Sequence, residues 1–403
     1  MSHDPTYLSK VIKQLARELG FHEVGIAPAI SPPHHDAYLR WLEHGYAGQM
    51  RYLYRHAAAR RLPQHVFSEA KSVVVTLLSY KPATDHSPSG AARISNYATR
   101  RDYHGVIRRR LYTLLDRFRE YAPDVKGRAV VDTAPLLERD FAWLAGLGWI
   151  GKNTMLLNKR LGSYTFIGSL LLSIELAYDE PHRPHHCGTC TRCLDACPTS
   201  AFVAPYVLDA TRCISYLTIE LHDHLPAGMR DQLHGWLFGC DICQEVCPWN
   251  RKAPPSEDPE LDMLPEIAQL SDPVRVLRMT DAQLREAIRD TPLERAGPAV
   301  LKRTAALLLQ GQRSREAIEA LVRALGHENP LVRGAAVHAL AVTATASAWE
   351  ALHAHLPRES DPAIRETIEK RLAAEPLAMR PGRNGHRISE TAGETCPKRA
   401  GEP

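Results

Sequence analysis

Near the start of the chain, Leu8, Val11, Ile12, Leu15 and Leu19 recur at three- and four-residue intervals, which predicts an amphipathic helix ended by Gly20. The apolar run FHEVGIA that follows predicts a strand. Further runs at Ser72 to Tyr80, Arg128 to Asp132 and Tyr164 to Ile174 predict more strands, with helical spacing near Val106 to Tyr121 and Leu136 to Leu147. Residues 1–178 therefore predict an α+β domain.

Prolines and histidines from Pro181 to His186 break this pattern and set a boundary at residue 179. A cysteine-rich segment occupies 179–255, and the proline- and acid-rich connector APPSEDPELDMLPE leads into a helical part over 256–375. There Pro298, Pro330 and Pro362 stand 32 residues apart, opening PAVLKRTAALLL, PLVRGAAVHAL and PAIRETIEKRL. Proline in a first helical turn, followed by apolar residues at helical spacing, starts a stacked helix-pair unit. The segment resembles a short array of HEAT-type repeats; an ordinary helical bundle with coincidental prolines is the alternative. Residues 376–403 have neither period nor apolar face, which predicts a disordered tail.

Composition narrows the class. The 403 residues are 44% hydrophobic and 24% charged, as in a soluble globular chain of two or three domains. No apolar run reaches the ~18 residues that span a bilayer. The longest candidate, Leu161 to Tyr178, is interrupted by Ser163, Ser169, Ser173 and Glu175, so no membrane partner is expected. The opening MSHDPTYLSK lacks the basic start and apolar stretch of a secretory signal, which predicts a cytoplasmic protein. A net charge of +4 is too small to imply nucleic acid binding by itself.

The cysteines change the picture. Eight of the nine fall between Cys187 and Cys247, with Cys396 alone in the tail. In a reducing compartment such crowding points to metal or redox chemistry. CGTCTRCLDACP places Cys187, Cys190, Cys193 and Cys197 at the C-x2-C-x2-C-x3-C-P spacing of bacterial ferredoxins; CDICQEVCP adds Cys240, Cys243 and Cys247, with Cys213 between. In that motif the fourth cysteine crosses to the neighbouring cluster. Crossing gives one [4Fe-4S] cluster on Cys187, Cys190, Cys193 and Cys247, and a second on Cys197, Cys213, Cys240 and Cys243. A pair of four-cysteine zinc sites is the alternative. His182, His185 and His186 are not needed to complete either set. Two one-electron clusters usually serve another redox centre. Neither a G-x-G-x-x-G fingerprint after a strand nor a Walker A loop is present to name it.

SNYATRRDYH, VDTAPLLERDFAWLAGLGWIGKNTMLL, RCISYLTIE and GCDICQEVCPWNR, in this order around the ferredoxin block and before the helical repeats, resemble the epoxyqueuosine reductase family. The resemblance implies a cobalamin-dependent iron–sulfur oxidoreductase that takes the epoxide oxygen from epoxyqueuosine at the wobble position of a tRNA anticodon, the last step to queuosine. It implies a nitroreductase-like cobalamin domain, kinship with reductive dehalogenases, and an electron donor that the sequence does not identify. A monomer is expected. Epoxide to alkene and water consumes two electrons and two protons, so the clusters would relay electrons. Asp132 matches the family's proton donor, and a carboxyl beside a cofactor at a strand end is expected to be raised in pKa by desolvation. Arg55 matches a cobalamin-contacting position; Ser95, Lys152, Ser215 and Asp241 lie in matching motifs as further polar contacts. Ser215 and Asp241 neighbour Cys213 and Cys240, which would bring the second cluster beside the corrin.

For RNA, RRDYHGVIRRR holds five arginines with Tyr103 and His104 interleaved, and Lys302 and Arg303 head the first repeat. Arginine pairs with phosphates and stacks on splayed bases, which makes Arg108, Arg109, Lys302 and Arg303 candidate RNA contacts. A solvated helix face is the plainer reading of Arg108 and its neighbours. Two competing functions are a cobalamin-dependent reductive dehalogenase, and a non-catalytic iron–sulfur electron-transfer protein with an RNA-binding repeat module.

Overall fold

The computed structural model describes residues 4–83 and 92–376. Residues 377–403 of the tail, with Cys396, lie outside the described residues.

The first helix, Pro5–Glu18, begins where the Asp4 carboxylate accepts from Thr6 N at 2.9 Å and Pro5 fixes the first turn. It buries Leu8, Ile12, Leu15 and Ala16, and Gly20 at φ 86° turns the chain into the strand Glu23–Pro28. That strand pairs antiparallel with Ser72–Ser79 (Glu23 opposite Leu77), which pairs with Thr165–Leu172 (Ser72 opposite Leu172), which in turn pairs with Gly127–Val130. Ser72–Ser79 is buried at every position because helices cover both faces of the sheet, so its apolar run does not alternate. Leu8, Ile12, Ile107, Leu111, Leu114 and Phe118 pack on Val74, Leu78, Leu170 and Leu172 on one face. On the other, Phe141 and Leu144 of the helix Glu138–Leu144 meet Val73, Val75, Leu77 and Leu171. Gly168 permits a close approach: a Cβ there would lie 2.5 Å from Ile107 Cγ2 on the helix Tyr103–Phe118.

The cysteine segment consists of short helices and a hairpin, Phe202–Ala204 with Val207–Leu208. Cys247 is extended, as a residue before proline must be, and Pro248 then starts the helix Pro248–Lys252. The connector folds back onto the first domain. Arg110 forms ion pairs with Asp258 and Glu260, both at 2.6 Å, and Leu261 is buried in the first domain's core.

The helical part stacks Gly297–Leu308, Arg315–Ala324, Pro330–Thr343, Ala346–His355 and Pro362–Ala373. Ser314, Asn329, Thr345 and Asp361 cap four of these helices with side-chain oxygens. The α+β layer, cysteine module and helical repeats are thus the expected fold class. One hydrophobic core, however, runs across residue 256. Leu217, Leu237 and Phe238 of the cysteine segment pack in the same core as Leu270, Leu301, Val337 and Leu340. Among the described residues, no helix is long and apolar enough to cross a membrane.

Candidate functional site

Several of the eight thiols between Cys187 and Cys247 perturb one another. Burial pushes the Cys193 thiol up to about 11, reinforced by Cys187 and Cys247; Cys247 is likewise raised by burial and by Cys187 and Cys190. Burial raises Cys240 and Cys243 too, with Cys213 acting on both and Cys197 on Cys240. Cys193 of the first predicted set also acts on Cys243 of the second, so the two predicted sets lie close to one another. Among the described residues no three His, Cys, Asp or Glu side chains converge on a point fit for one bare ion. A cubane instead spreads four thiolates over its corners. Around the first set, Trp149 stacks with His182 at 5.6 Å and meets His186 at 4.7 Å. Trp149, in the cluster that Cys187 and Cys247 enter, and the His182 and His186 rings packed on it have buried Nε1, Nε2 and Nε2 atoms without a hydrogen-bond partner. Such donors fit sulfide or thiolate acceptors of a cluster.

The second set is braced against the first domain. Asp241, 1% exposed, accepts from Ser95 Oγ at 2.5 Å, from Asn96 N at 2.7 Å and from Asn96 Nδ2 at 2.9 Å; burial raises its pKa. Trp236–Phe238 runs parallel to Arg93–Ile94 alongside. A chain of rings continues from there. Tyr97 meets Phe238 at 6.1 Å and Tyr103 at 6.4 Å, and Tyr103 stacks on His104 at 4.1 Å.

Asp132 lies at the far end of that chain. It follows the strand Gly127–Val130 with φ 55°, the left-handed region, and its side chain is 66% exposed. His104 Nε2 is 3.3 Å from its Oδ2, Tyr103 OH donates to the same oxygen at 3.4 Å, and His104 Nδ1 is 2.6 Å from Asp102 Oδ1. Burial opposes charge on His104, but the hydrogen bonds to Asp102 and Asp132 outweigh it and push its pKa up to about 9. The expected rise at Asp132 is corrected. The His104 hydrogen bond outweighs desolvation and holds the Asp132 carboxyl below the usual range, because its nearest partner is a cation. Burial, then the Asp132 charge, pushes Glu138 up to about 8 instead, and Glu138 accepts from Asp132 N at 3.0 Å.

Facing Asp132 are groups from other elements. The Arg295 guanidinium lies 5.1 Å over the Tyr52 ring, pairs with Glu220 at 2.8 Å and contributes to lowering Asp132. Arg55 follows Tyr52 by three residues on the helix Arg51–Arg55, hence on the same face, and is exposed. Ser215, half-buried, lies on Ile214–Ile219, the helix that Glu220 ends.

The structure gives other predicted residues different tasks. Ser95 and Asp241 satisfy one another, and Lys152 Nζ donates to Gly188 O at 2.8 Å and Cys190 O at 3.0 Å, so it braces the first cysteine loop. Lys302 and Arg303 are corrected as RNA contacts. They are 3% and 1% exposed; Lys302 pairs with Asp281 at 2.6 Å, while Arg303 donates to the carbonyls of Leu217, Leu221 and Asp223. Arg109 pairs with Glu260, and Arg108 is exposed. Sequence reasoning missed Glu138, Tyr52 and Arg295, and noted Tyr103 and His104 only as interleaved in the arginine run. Only DYH carried a signal, an Asp two residues before a His as a helix cap.

Three family models match: epoxyqueuosine reductase QueG over residues 60–133, a 4Fe-4S double cluster binding domain over 186–250, and HEAT repeats over 292–373. The chain therefore carries a double-cluster domain. The epoxyqueuosine reductase of Pseudomonas aeruginosa is 45% identical over 259 residues, 63% of this chain and 72% of that protein. That of Salmonella typhimurium is 35% identical over 335 residues, 82% and 86% of the two chains. A crystal structure of an epoxyqueuosine reductase with an epoxyqueuosine-modified tRNA-Tyr stem loop superposes at TM-score 0.84, 29% identity, over 91% of this chain and 98% of that one. A Bacillus subtilis epoxyqueuosine reductase with its catalytic aspartate loop swung out of the active site superposes at 0.83, 28% identity, over 91% and 98%.

Proposed function

Since the chain belongs to the epoxyqueuosine reductase family of oxidoreductases, we propose that it reduces epoxyqueuosine to queuosine at the tRNA wobble position, the last step of queuosine formation, in the cytoplasm. The observation that carries this reading is the Asp102–His104–Asp132 hydrogen-bond series, joined to the second cysteine set through Tyr103, Tyr97 and Phe238. Electron supply and proton supply thereby meet at one open face.

Arg55 and Ser215 fit cobalamin: Arg55 is exposed on the helix that carries Tyr52, Ser215 lies on the helix that Glu220 ends, and neither is held by the hydrogen bonds that occupy Ser95, Asp241 and Lys152. When bound, cobalamin would supply the strongly reducing metal centre at which the C–O bond opens. Arg55 would hold a polar edge of the group with its donor fork, and Ser215 would place it next to the Cys213 set. The chain's own residues then handle protons. Asp132 accepts from charged His104 and presents its other oxygen to the substrate; His104 passes a proton through Asp132 to the departing oxygen, and Asp102 keeps the imidazole oriented. Glu138, neutral below about pH 8, holds a further proton behind Asp132. Arg295 over Tyr52, with exposed Arg108 on the neighbouring helix, offers cationic contacts to the anticodon loop in place of Lys302 and Arg303.

The test is anaerobic reconstitution with iron, sulfide and cobalamin, then incubation with reductant and epoxyqueuosine-containing tRNA. Queuosine among the digested nucleosides is the expected outcome; iron-loaded, corrin-loaded enzyme that leaves epoxyqueuosine intact would refute the proposal.

A further inference from the structure

Trp149 is 0% exposed and lies on the short strand Trp149–Ile150, which pairs with Leu156–Leu157. Its surroundings are apolar, aromatic and thiol. Leu157 and Cys247 share its core cluster, Cys187 and Trp249 pack against that cluster, and the indole meets the rings of His182, His186 and Trp249. None of these neighbours accepts from Trp149 Nε1, which is buried without a hydrogen-bond partner. The nearby cation, Lys152, is turned to the carbonyls of Gly188 and Cys190 and is itself a donor. An indole N–H can only donate, whereas the His182 and His186 nitrogens can present either a lone pair or a proton. A buried donor left unpaired forfeits its hydration with no return, and native folds rarely leave one so without a reason.

Cys187 and Cys247 are the expected ligands of one [4Fe-4S] cluster, and both pack at Trp149. The sulfides and thiolates of such a cluster carry the lone pairs and negative charge that the polypeptide around Nε1 does not supply. We propose that Trp149 Nε1 donates a hydrogen bond to a sulfur of this cluster and thereby raises its reduction potential. Each one-electron reduction adds negative charge to the cluster, so the bond is stronger in the reduced state and favours it. Trp149 is a positioning residue: the indole neither binds iron nor gains or loses an electron or proton, and it acts through the cluster. The inference rests on the double-cluster domain and not on the tRNA reading. Iron and sulfide content reports the first separately from the potential.

The test is a potentiometric titration of reconstituted holoenzyme followed by EPR, comparing wild type with Trp149→Phe, which keeps an aromatic ring and removes the N–H. Iron and sulfide should stay at the two-cluster level. One of the two midpoints should fall, its reduction equilibrium shifting by about tenfold, or ~59 mV for one electron. Trp249→Phe removes an indole from the same ring cluster and should leave both midpoints in place. Unchanged midpoints in fully loaded Trp149→Phe would overturn the proposal, since the N–H would then face the His186 or Trp249 ring. An equal fall in Trp249→Phe would overturn it too, because lost aromatic burial would be the cause. Wild type labelled with ¹⁵N at its indole nitrogens gives a second measurement that does not depend on the variant folding. Pulsed EPR of the reduced protein should show a ¹⁵N coupling together with a deuterium-exchangeable proton, and absence of both would refute the hydrogen bond.

Discussion

Asp132 holds a left-handed backbone, which costs an L-residue other than glycine about 1 kcal/mol and is tolerated best by Asp and Asn. That strain aims an exposed carboxylate at His104. Asp132→Asn keeps the backbone and the clusters, and turnover is expected to fall by roughly 10²–10⁴-fold, the usual worth of a positioned acid. Queuosine formation measured beside iron content checks this; near wild-type turnover would sink the assignment. His104 gives a pH signature. Its folded pKa of about 9 lies above its ordinary 6.5, so its contribution to stability is fully present below about 6.5 and is lost as pH rises through about 9. The shift corresponds to at most ~1–3 kcal/mol, discounted because its Asp132 partner is largely in solvent. His104→Gln should lower the melting temperature at neutral pH and leave it unchanged relative to wild type above about pH 9. Its catalytic counterpart is loss of the alkaline fall in turnover centred near pH 9.

At the scale of elements, two close contacts decide stability. The strand Thr165–Leu172 meets the helix Tyr103–Phe118 at Gly168, where added carbon would collide with Ile107 and Thr76. Gly168→Val is therefore expected to destabilise by roughly 1–3 kcal/mol despite its better strand propensity, as overpacked cores do. Because His104 is on that helix, turnover should fall with it; urea unfolding separates the two effects. Arg303 on Gly297–Leu308 is the second case. Burial lowers its pKa to about 10, and its guanidinium satisfies carbonyls at the end of Ile214–Ile219 and just beyond. Arg303→Ala should cost roughly 2–4 kcal/mol by leaving buried acceptors unpaired. The slope of tRNA affinity against salt should stay the same, since no phosphate contact is lost. A reduced slope at unchanged stability would restore Arg303 as an RNA contact.

At the scale of the whole molecule, the helical repeats are not a detachable module. Their core continues into Leu217, Leu237 and Phe238, which support the Cys213 and Cys240 segment. A chain ended at Ala296 is thus expected to lose cluster binding as well as tRNA binding, which iron analysis of the purified fragment would show. A fragment that keeps both clusters would mean that the cysteine segment is stable without its shared core.

Local chemistry was legible in the sequence because it depends on local spacing. The helix ending at Gly20, the fully buried strand Ser72–Ser79, the three proline-led helices and the double-cluster cysteine motif follow from periodicity, capping and motif spacing along the chain itself. What tertiary structure alone decided is how charges are spent. Lys302 and Arg303 read as free cations in a sequence, yet folding buries them against Asp281 and backbone carbonyls from residues about 80 positions away. Asp132 read as a carboxyl raised by burial, yet the fold gives it a cationic histidine and moves the raised pKa to Glu138. Sequence spacing fixes which residues share a turn or a strand; the field at a carboxylate is set by the nearest charges in space, and those at Asp132 arrive from His104 and Arg295 only when the separate elements have packed.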